Sequence, residues 1–197
     1  MAERIRHLLE YCKVPYTEKK YTPDTANQWF NEDKPKLMEK NPAMTLPYLI
    51  DGDKVITESD AICIYICHRS KRVDLLGRDA NEWVQTATVW GVFKDFYRNY
   101  AQLVYGKYES EDKWKEALAN SVNNFEPYLK KFNGLLGDQE FFAGKITWVD
   151  FPLADFLQVL SLLNEEYLKP FPKLSEFQKR IWNLPELKAY FSSDKYC

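Results

Sequence analysis

Residues 41–65 read NPAMTLPYLIDGDKVITESDAICIY, and the fold follows from how this stretch is parsed. Pro47-Tyr48-Leu49-Ile50 is a short apolar run of the kind that forms a buried strand. Asp51-Gly52 supplies a turn, and Lys54-Val55-Ile56-Thr57 reads as a second strand, so the unit is a β-hairpin. Thr57, with Asp60 three residues on, predicts a helix start of the capping-box kind, and Ile62, Tyr65 and Ile66 recur behind it at helical spacing. A helix N-terminus carries free N–H groups and partial positive charge, so it can hold a carboxylate. A bend before Pro47, above all a cis bond, leaves the preceding backbone open to an extended peptide. A small peptide with an α-carboxylate is the ligand this geometry suits; the alternative is a hairpin and helix with a structural role only.

Upstream, Ile5, Leu8, Leu9 and Cys12 predict an amphipathic helix over residues 2–12, broken at Val14-Pro15. Thr17 to Tyr21 reads as a short strand, Thr22-Pro23-Asp24 as a turn, and Asn27 to Met38 as an irregular helix interrupted by Pro35. Residues 1–69 thus take the order α–β–α–β–β–α. Residues 70–80, polar and containing Gly77, read as a linker. From Asn81 the pattern is helical: Trp83, Ala87, Trp90, Phe93 and Tyr97 form a stripe ending near Tyr105-Gly106. A second long helix over Glu111–Phe132 carries Pro127, which predicts a kink. Gly134 to Gly144 is a loop. Thr147, answered by Asp150, then caps a buried helix that carries Pro152 in its first turn, and two short helices near Leu174–Trp182 and Pro185–Tyr190 finish the chain. The expected architecture is a small α/β domain (1–69), a linker (70–80) and an all-helical domain (81–197), with ligand sites in the cleft between the domains.

Composition narrows the function. The 197 residues can bury a sizeable core, and aromatic side chains make up 16%, enough to line clefts or interfaces. Formal charge is −2 with no basic block, which argues against nucleic acid as a partner. No apolar run approaches the ~20 residues of a membrane span. Met1-Ala2-Glu3-Arg4 opens the chain without an apolar leader, so a cytoplasmic protein is expected. Cys12, Cys63, Cys67 and Cys197 do not form a disulfide framework. Cys63 and Cys67, four apart beside His68, read as free thiols in a helix before they read as a metal or redox pair; no metal is expected. With His7 and His68 as the two histidines, and no P-loop, dinucleotide fingerprint or HExxH, several catalytic classes have little material.

N-P-x-x-x-L-P-x-L-x-D-G followed by I-T-E-S-x-A-I-x-x-Y-I resembles the glutathione-binding segment of glutathione transferases. Glu10-Tyr11, Tyr16 to Tyr21, Gln28-Trp29, Phe142-Ala143-Gly144 and Thr147 to Phe151 resemble the mu class, so the similarity spans nearly the whole chain. It implies a truncated thioredoxin-like first domain, a five-helix second domain, and glutathione as co-substrate or ligand. It also implies roles for particular residues. Glu58-Ser59 match the pair that binds the γ-glutamyl carboxylate and amine, and Leu46-Pro47 the cis-proline turn that pairs with the cysteinyl backbone. Thr45 stands where the mu class has asparagine. Trp29 matches the tryptophan at the glycyl end, or is simply packed. The lysine four residues beyond it is Asp33 here, with Lys34 next door, and the arginine three residues before it is Ala26. Losing two charge-assisted bonds at ~1.5–3 kcal/mol each weakens binding. Asp95 and Tyr105 match the aspartate that reaches across the dimer and the tyrosine facing the second substrate, although Asp95 also reads as an ordinary helix-surface carboxylate. The residue that keys into a partner subunit is Ala43, not an aromatic, which removes one support for a homodimer.

The resemblance also implies a departure. In the family a first strand carries the tyrosine that stabilises the glutathione thiolate, lowering its pKa towards neutrality. This sequence opens inside the helix that follows that strand, and Tyr11 lies at that helix's far end, in a structural role. The strand belongs between those matching Thr17–Tyr21 and Pro47–Ile50, so its absence leaves two rows of backbone groups unpartnered. Three outcomes follow: the flanking strands close together, another chain fills the slot, or the domain loosens into an assembly. The chain is accordingly expected to be a non-catalytic or weakly active structural or interaction subunit, with a protein partner or assembly. The competing readings are an active transferase that adds the tripeptide thiolate to electrophiles, and a glutathione-binding module without turnover.

Overall fold

The computed structural model describes residues 2–193; Cys197 lies outside them. Helix α1 (Glu3–Tyr11) turns its apolar stripe of Ile5, Leu8 and Leu9 into the core. Residues 14–22 follow without helical structure or sheet pairing. Residues 23–38 then wind through a 3₁₀ turn (Pro23–Thr25), α2 (Ala26–Gln28), a π-helical turn (Trp29–Asp33) and α3 (Lys34–Met38). Pro35 does not interrupt this run, because it falls in the first turn of α3, where its missing N–H is not needed. Strands β1 (Tyr48–Asp51) and β2 (Lys54–Thr57) pair antiparallel, with Asp51 opposite Lys54 and Tyr48 opposite Thr57. Gly52 takes φ 58° at the first turn position, the requirement of the tight two-residue hairpin turn.

The sheet departs from the sequence reading. Among the described residues it has two strands, and Thr17–Tyr21 is not one of them. A strand needs a backbone partner, and Thr17, Glu18, Lys19 and Tyr21 make no backbone–backbone hydrogen bond to another described residue. Nor do this stretch and β1 close on each other. A cavity of about 1360 Å³ separates them.

Helix α4 (Ser59–Arg69) starts one residue later than expected, with Glu58 rather than Thr57 at its N-cap. Thr57 does not cap it. Its Oγ1 accepts from the Thr45 N–H at 3.2 Å and donates to the Thr45 carbonyl at 3.1 Å, tying the loop before Pro47 to the end of β2. Asp60 does not answer Thr57 either; its Oδ2 accepts from Trp90 Nε1 at 3.2 Å. The expected linker is packed rather than slack: Val73–Leu76 forms a 3₁₀ turn, Leu75 is fully buried, and its carbonyl accepts from the Trp148 N–H at 2.9 Å.

The second half is helical: α5 (Ala80–Tyr105), α6 (Glu111–Leu136), α7 (Asp150–Leu163), α8 (Pro172–Trp182) and α9 (Pro185–Phe191). Asp79 caps α5, accepting from the N–H groups of Asn81 at 2.9 Å and Glu82 at 3.0 Å. On α5, Trp90, Phe93 and Phe96 are buried, while Trp83, read as part of the stripe, is 60% exposed. Helix α6 runs past Pro127 to Leu136 as one element, absorbing the start of the expected loop. Helix α7 is buried along most of its length and packs on α1 and α8. Its start is built on Asp150, which is fully buried and accepts from Phe142 N at 3.2 Å, Thr147 N at 2.6 Å and Thr147 Oγ1 at 2.9 Å.

Burial pushes the Asp150 carboxyl up to about 6, against the pull of those three donors. A raised folded-state value means that the folded chain holds the proton more tightly than the unfolded one. The group's contribution is therefore full below the unfolded value of 3.8 and is lost as pH rises through 6. We predict that the destabilisation caused by Asp150→Asn shrinks by roughly 2–3 kcal/mol between pH 4 and pH 7. Paired urea titrations of the two proteins at those pH values check this, and a difference that is flat or grows with pH contradicts it.

Candidate functional site

The site forms where the loop before β1 meets the start of α4. The Leu46–Pro47 bond is cis, as the bend before Pro47 suggested. The double hydrogen bond from Thr57 holds the Thr45 backbone in place beside it, while the Thr45 side chain is exposed. The N-terminus of α4 opens next to this clamp, since Glu58 directly follows Thr57. Glu58 adopts φ 65° and ψ 118°, a region that L-residues avoid. Such strain costs on the order of 1–3 kcal/mol and is characteristic of functional sites. Ser59 is buried at the first position of α4, and among the described residues no group hydrogen-bonds its hydroxyl. We predict that Glu58→Gly raises stability by about 1 kcal/mol, because glycine takes positive φ without strain. Thermal melts of the two proteins test it; a lower melting temperature for the glycine variant contradicts the strain assignment.

Trp29 lies in the π-helical turn, buried, with its ring 5.7 Å from that of Tyr48 at an interplanar angle of 8° and 5.1 Å from that of Tyr21. The Tyr21 and Tyr48 hydroxyls meet at 3.1 Å. This three-ring cluster, Tyr48 stacked on Trp29 and Tyr21 tilted against it, brings together residues from three separate segments, and no spacing in the sequence signals it. Asp33, standing where the resemblance places a lysine, binds Lys19 Nζ at 2.6 Å and accepts from the Tyr21 hydroxyl at 2.9 Å. Its carboxyl is held below the usual range, first by the Lys19 hydrogen bond. Lys34 follows at the start of α3. Ala43 is exposed in the turn before β1.

The helical half contributes a small second cavity of about 170 Å³, lined among others by Arg4, Tyr97, Tyr100, Tyr105 and Asp155. Tyr105 is 75% exposed at its edge. Arg4 is buried, its guanidinium 5.3 Å from the Trp90 ring centroid and 5.5 Å from that of Phe93. The sequence reading missed this residue, because one charge on an apolar helix face gives no sign of its partners. Asp95 is exposed on α5, with its carboxylate 3.4 Å from Arg98 Nη1. Tyr11 is turned to the domain junction: its ring lies 5.1 Å from Phe151, and Arg72 sits 5.2 Å over it. Cys63 and Cys67 are buried thiols, and burial pushes Cys63 up to about 12. Among the described residues no group of three or more His, Cys, Asp or Glu is placed to hold a metal, and no helix is long and apolar enough to cross a membrane.

A cis-proline turn against a helix start, with a helical domain behind it, is the architecture of a recognised family, and the comparisons agree. The family described as "Glutathione S-transferase, N-terminal domain" matches residues 1–68, and "Glutathione S-transferase, C-terminal domain" matches residues 94–194. The chain belongs to the glutathione S-transferase family, with a thioredoxin-like first domain and a helical second one. Its relatives include mu-class proteins. It is 34% identical to human "Glutathione S-transferase Mu 2" over 202 residues, covering all of this chain and 88% of that one. It is 30% identical to the "Glutathione S-transferase class-mu 26 kDa isozyme 51" of Fasciola hepatica, covering all of this chain and 85% of that one. Among solved structures, the Pi-class glutathione S-transferase of Onchocerca volvulus superposes with a TM-score of 0.76 at 26% identity, over 96% of this chain and 86% of that one. A rat hPGDS complexed with a quinoline shares the fold, with a TM-score of 0.78 at 24% identity over 98% and 93% of the two chains.

Proposed function

We propose that the chain binds glutathione at the Leu46–Pro47 turn and the α4 N-terminus, activates its sulfur weakly, and serves as a binding or interaction subunit more than as a catalyst. The observation that carries this reading is the open Ser59 hydroxyl at a helix start beside a cis-proline turn. The γ-glutamyl carboxylate meets the α4 N–H groups and Ser59, next to strained Glu58. The cysteinyl backbone pairs with Leu46, and Thr45 supports that pairing through its bonds to Thr57. Trp29 and Lys34 border the glycyl end. Tyr105 edges the second-substrate pocket. Asp95 belongs to this site when two copies pair, and Ala43 leaves such pairing without an aromatic key.

Weak activation is supported by where the nearby hydroxyls send their protons. Tyr16 donates to Glu10 at 3.1 Å and Tyr21 to Asp33 at 2.9 Å. Both are pushed above the usual tyrosine value, first by burial and then by these bonds and, for Tyr21, the bond to Tyr48. A hydroxyl committed to a carboxylate is a poor donor for a thiolate. The second reading, an active transferase conjugating glutathione to small electrophiles, is favoured by relatives that are named transferases over the whole length of the chain.

Retention of the purified 197-residue protein on immobilised glutathione, followed by conjugation of a chloronitrobenzene electrophile, separates the readings. Retention with turnover close to that of glutathione alone supports the first. Brisk turnover replaces it with the second, and failure to be retained removes both.

A further inference from the structure

The cavity of about 170 Å³ that Tyr105 edges holds polar groups the fold itself leaves open. Helices α5 and α7 build most of its wall, and that wall is largely aromatic. The Phe156 ring of α7 stands edge-on to Phe93 of α5 at 5.5 Å and to Tyr100 at 5.0 Å, with Val159 one turn further along. Tyr97, Tyr100 and Asp155 line the same space, and their hydroxyl and carboxyl groups lie within each other's electrostatic reach. Among the described residues none of these three side chains makes a hydrogen bond. Burial pushes the Asp155 carboxyl above its usual range; attraction to His7 and Arg4 opposes that rise, and no hydrogen bond does. Polar groups inside an apolar wall are expected to find partners, so three of them converging without one mark a place for a ligand.

Size, charge and hydrogen bonding each narrow what that ligand is. A cavity of roughly 150 Å³ takes up benzene, so this one accommodates a single ring with a small substituent or two. Arg4 also lines the space, its guanidinium 5.9 Å from the Tyr97 ring centroid. A cationic ligand meets that guanidinium and an anionic one meets Asp155, so a neutral ligand is favoured. A carboxylate only accepts, whereas a tyrosine hydroxyl donates and accepts. A ligand hydroxyl satisfies both kinds of group at once, donating to Asp155 and accepting from Tyr97 or Tyr100. An ether or a carbonyl has no proton to give Asp155 and leaves it unpartnered. Where Asp155 is protonated the direction reverses, and the same ligand hydroxyl accepts from it.

We infer that this cavity binds a neutral single-ring phenol, whose hydroxyl hydrogen-bonds Asp155 and one of the two tyrosine hydroxyls while its ring packs on Phe93 and Phe156. The inference rests on the pocket assigned above through Tyr105, and not on glutathione being bound. A phenol offers no electrophilic carbon to a thiolate, so it is held and not consumed, in keeping with a chain that binds more than it catalyses.

The test titrates the full chain with p-cresol, its methyl ether and benzoate, following the ligand resonances. The expected result is saturable binding of p-cresol with a Kd of about 1 mM or below. The methyl ether, which keeps the ring but loses the donor, and benzoate, which carries the wrong charge, each bind about tenfold more weakly or worse. Asp155→Leu brings p-cresol down to the level of the ether and leaves the ether unchanged. Val159→Phe fills the cavity and abolishes uptake of both, so the conclusion does not hang on one variant. Both variants are also passed over immobilised glutathione, where retention equal to that of the parent shows that the glutathione site is intact. No saturable binding of p-cresol, equal binding of the ether or of benzoate, a phenol preference that survives Asp155→Leu, or uptake by Val159→Phe overturns the inference. Loss of glutathione retention by the parent, with phenol selectivity present, removes the glutathione reading and supports this one.

Discussion

Asp150→Ala is expected to lower the unfolding free energy by about 3–5 kcal/mol. The carboxylate is fully buried and accepts from two backbone N–H groups, of Phe142 and Thr147, and from the Thr147 hydroxyl. Alanine leaves all three donors buried and unpartnered at roughly 1–3 kcal/mol each, and water has little room to replace the acceptor. Against a total of about 5–15 kcal/mol, this brings the helical domain close to unfolding at ambient temperature. Asn keeps one carbonyl acceptor and is expected to fall between the two. Urea titration followed by tryptophan fluorescence measures it, with buried Trp148 as a neighbouring probe. A loss below about 1 kcal/mol for the alanine variant refutes the assignment of Asp150 as the organiser of this helix start.

Ser59→Ala is expected to weaken glutathione binding by about 10- to 100-fold with little change in stability. The hydroxyl has no partner among the described residues, so its removal orphans nothing in the fold. In the complex it is proposed to donate to a carboxylate, a charge-assisted bond of about 1.5–3 kcal/mol. Calorimetric titration of both proteins with glutathione, alongside thermal melts, distinguishes the two roles. Equal affinities locate the carboxylate elsewhere; a large drop in melting temperature makes Ser59 a structural residue.

Much of the fold is legible in the chain because its signals are local. The hairpin shows in Pro47–Thr57, since a turn residue with the required φ and flanking apolar runs act within about ten residues. The long helices show in their periodicity, and the pairing of Asp150 with Thr147 shows in their spacing, although Val149 rather than Thr147 stands at the N-cap of α7 and no side chain caps it. The cis-proline turn and the Glu58-Ser59 pair are also local, so the binding half of the candidate site was readable as residue types in order.

Other features involve groups far apart in the sequence. Thr57 looks like a helix cap beside its own helix, but folding sets the Thr45 backbone opposite it, twelve residues away, and two hydrogen bonds there displace the capping role. Thr17–Tyr21 has the residue types of a strand, yet a strand exists only when a neighbour supplies the other half of each hydrogen bond, and the nearest candidate, β1, stands across a cavity. The Trp29 stack and the burial of Arg4 likewise depend on which elements the core brings together. The sequence by itself determined the hairpin, the long helices and their order, because turn chemistry and periodicity act over short range. Tertiary structure alone decided which backbone edges find partners, because that depends on distances between elements, and no local pattern encodes them.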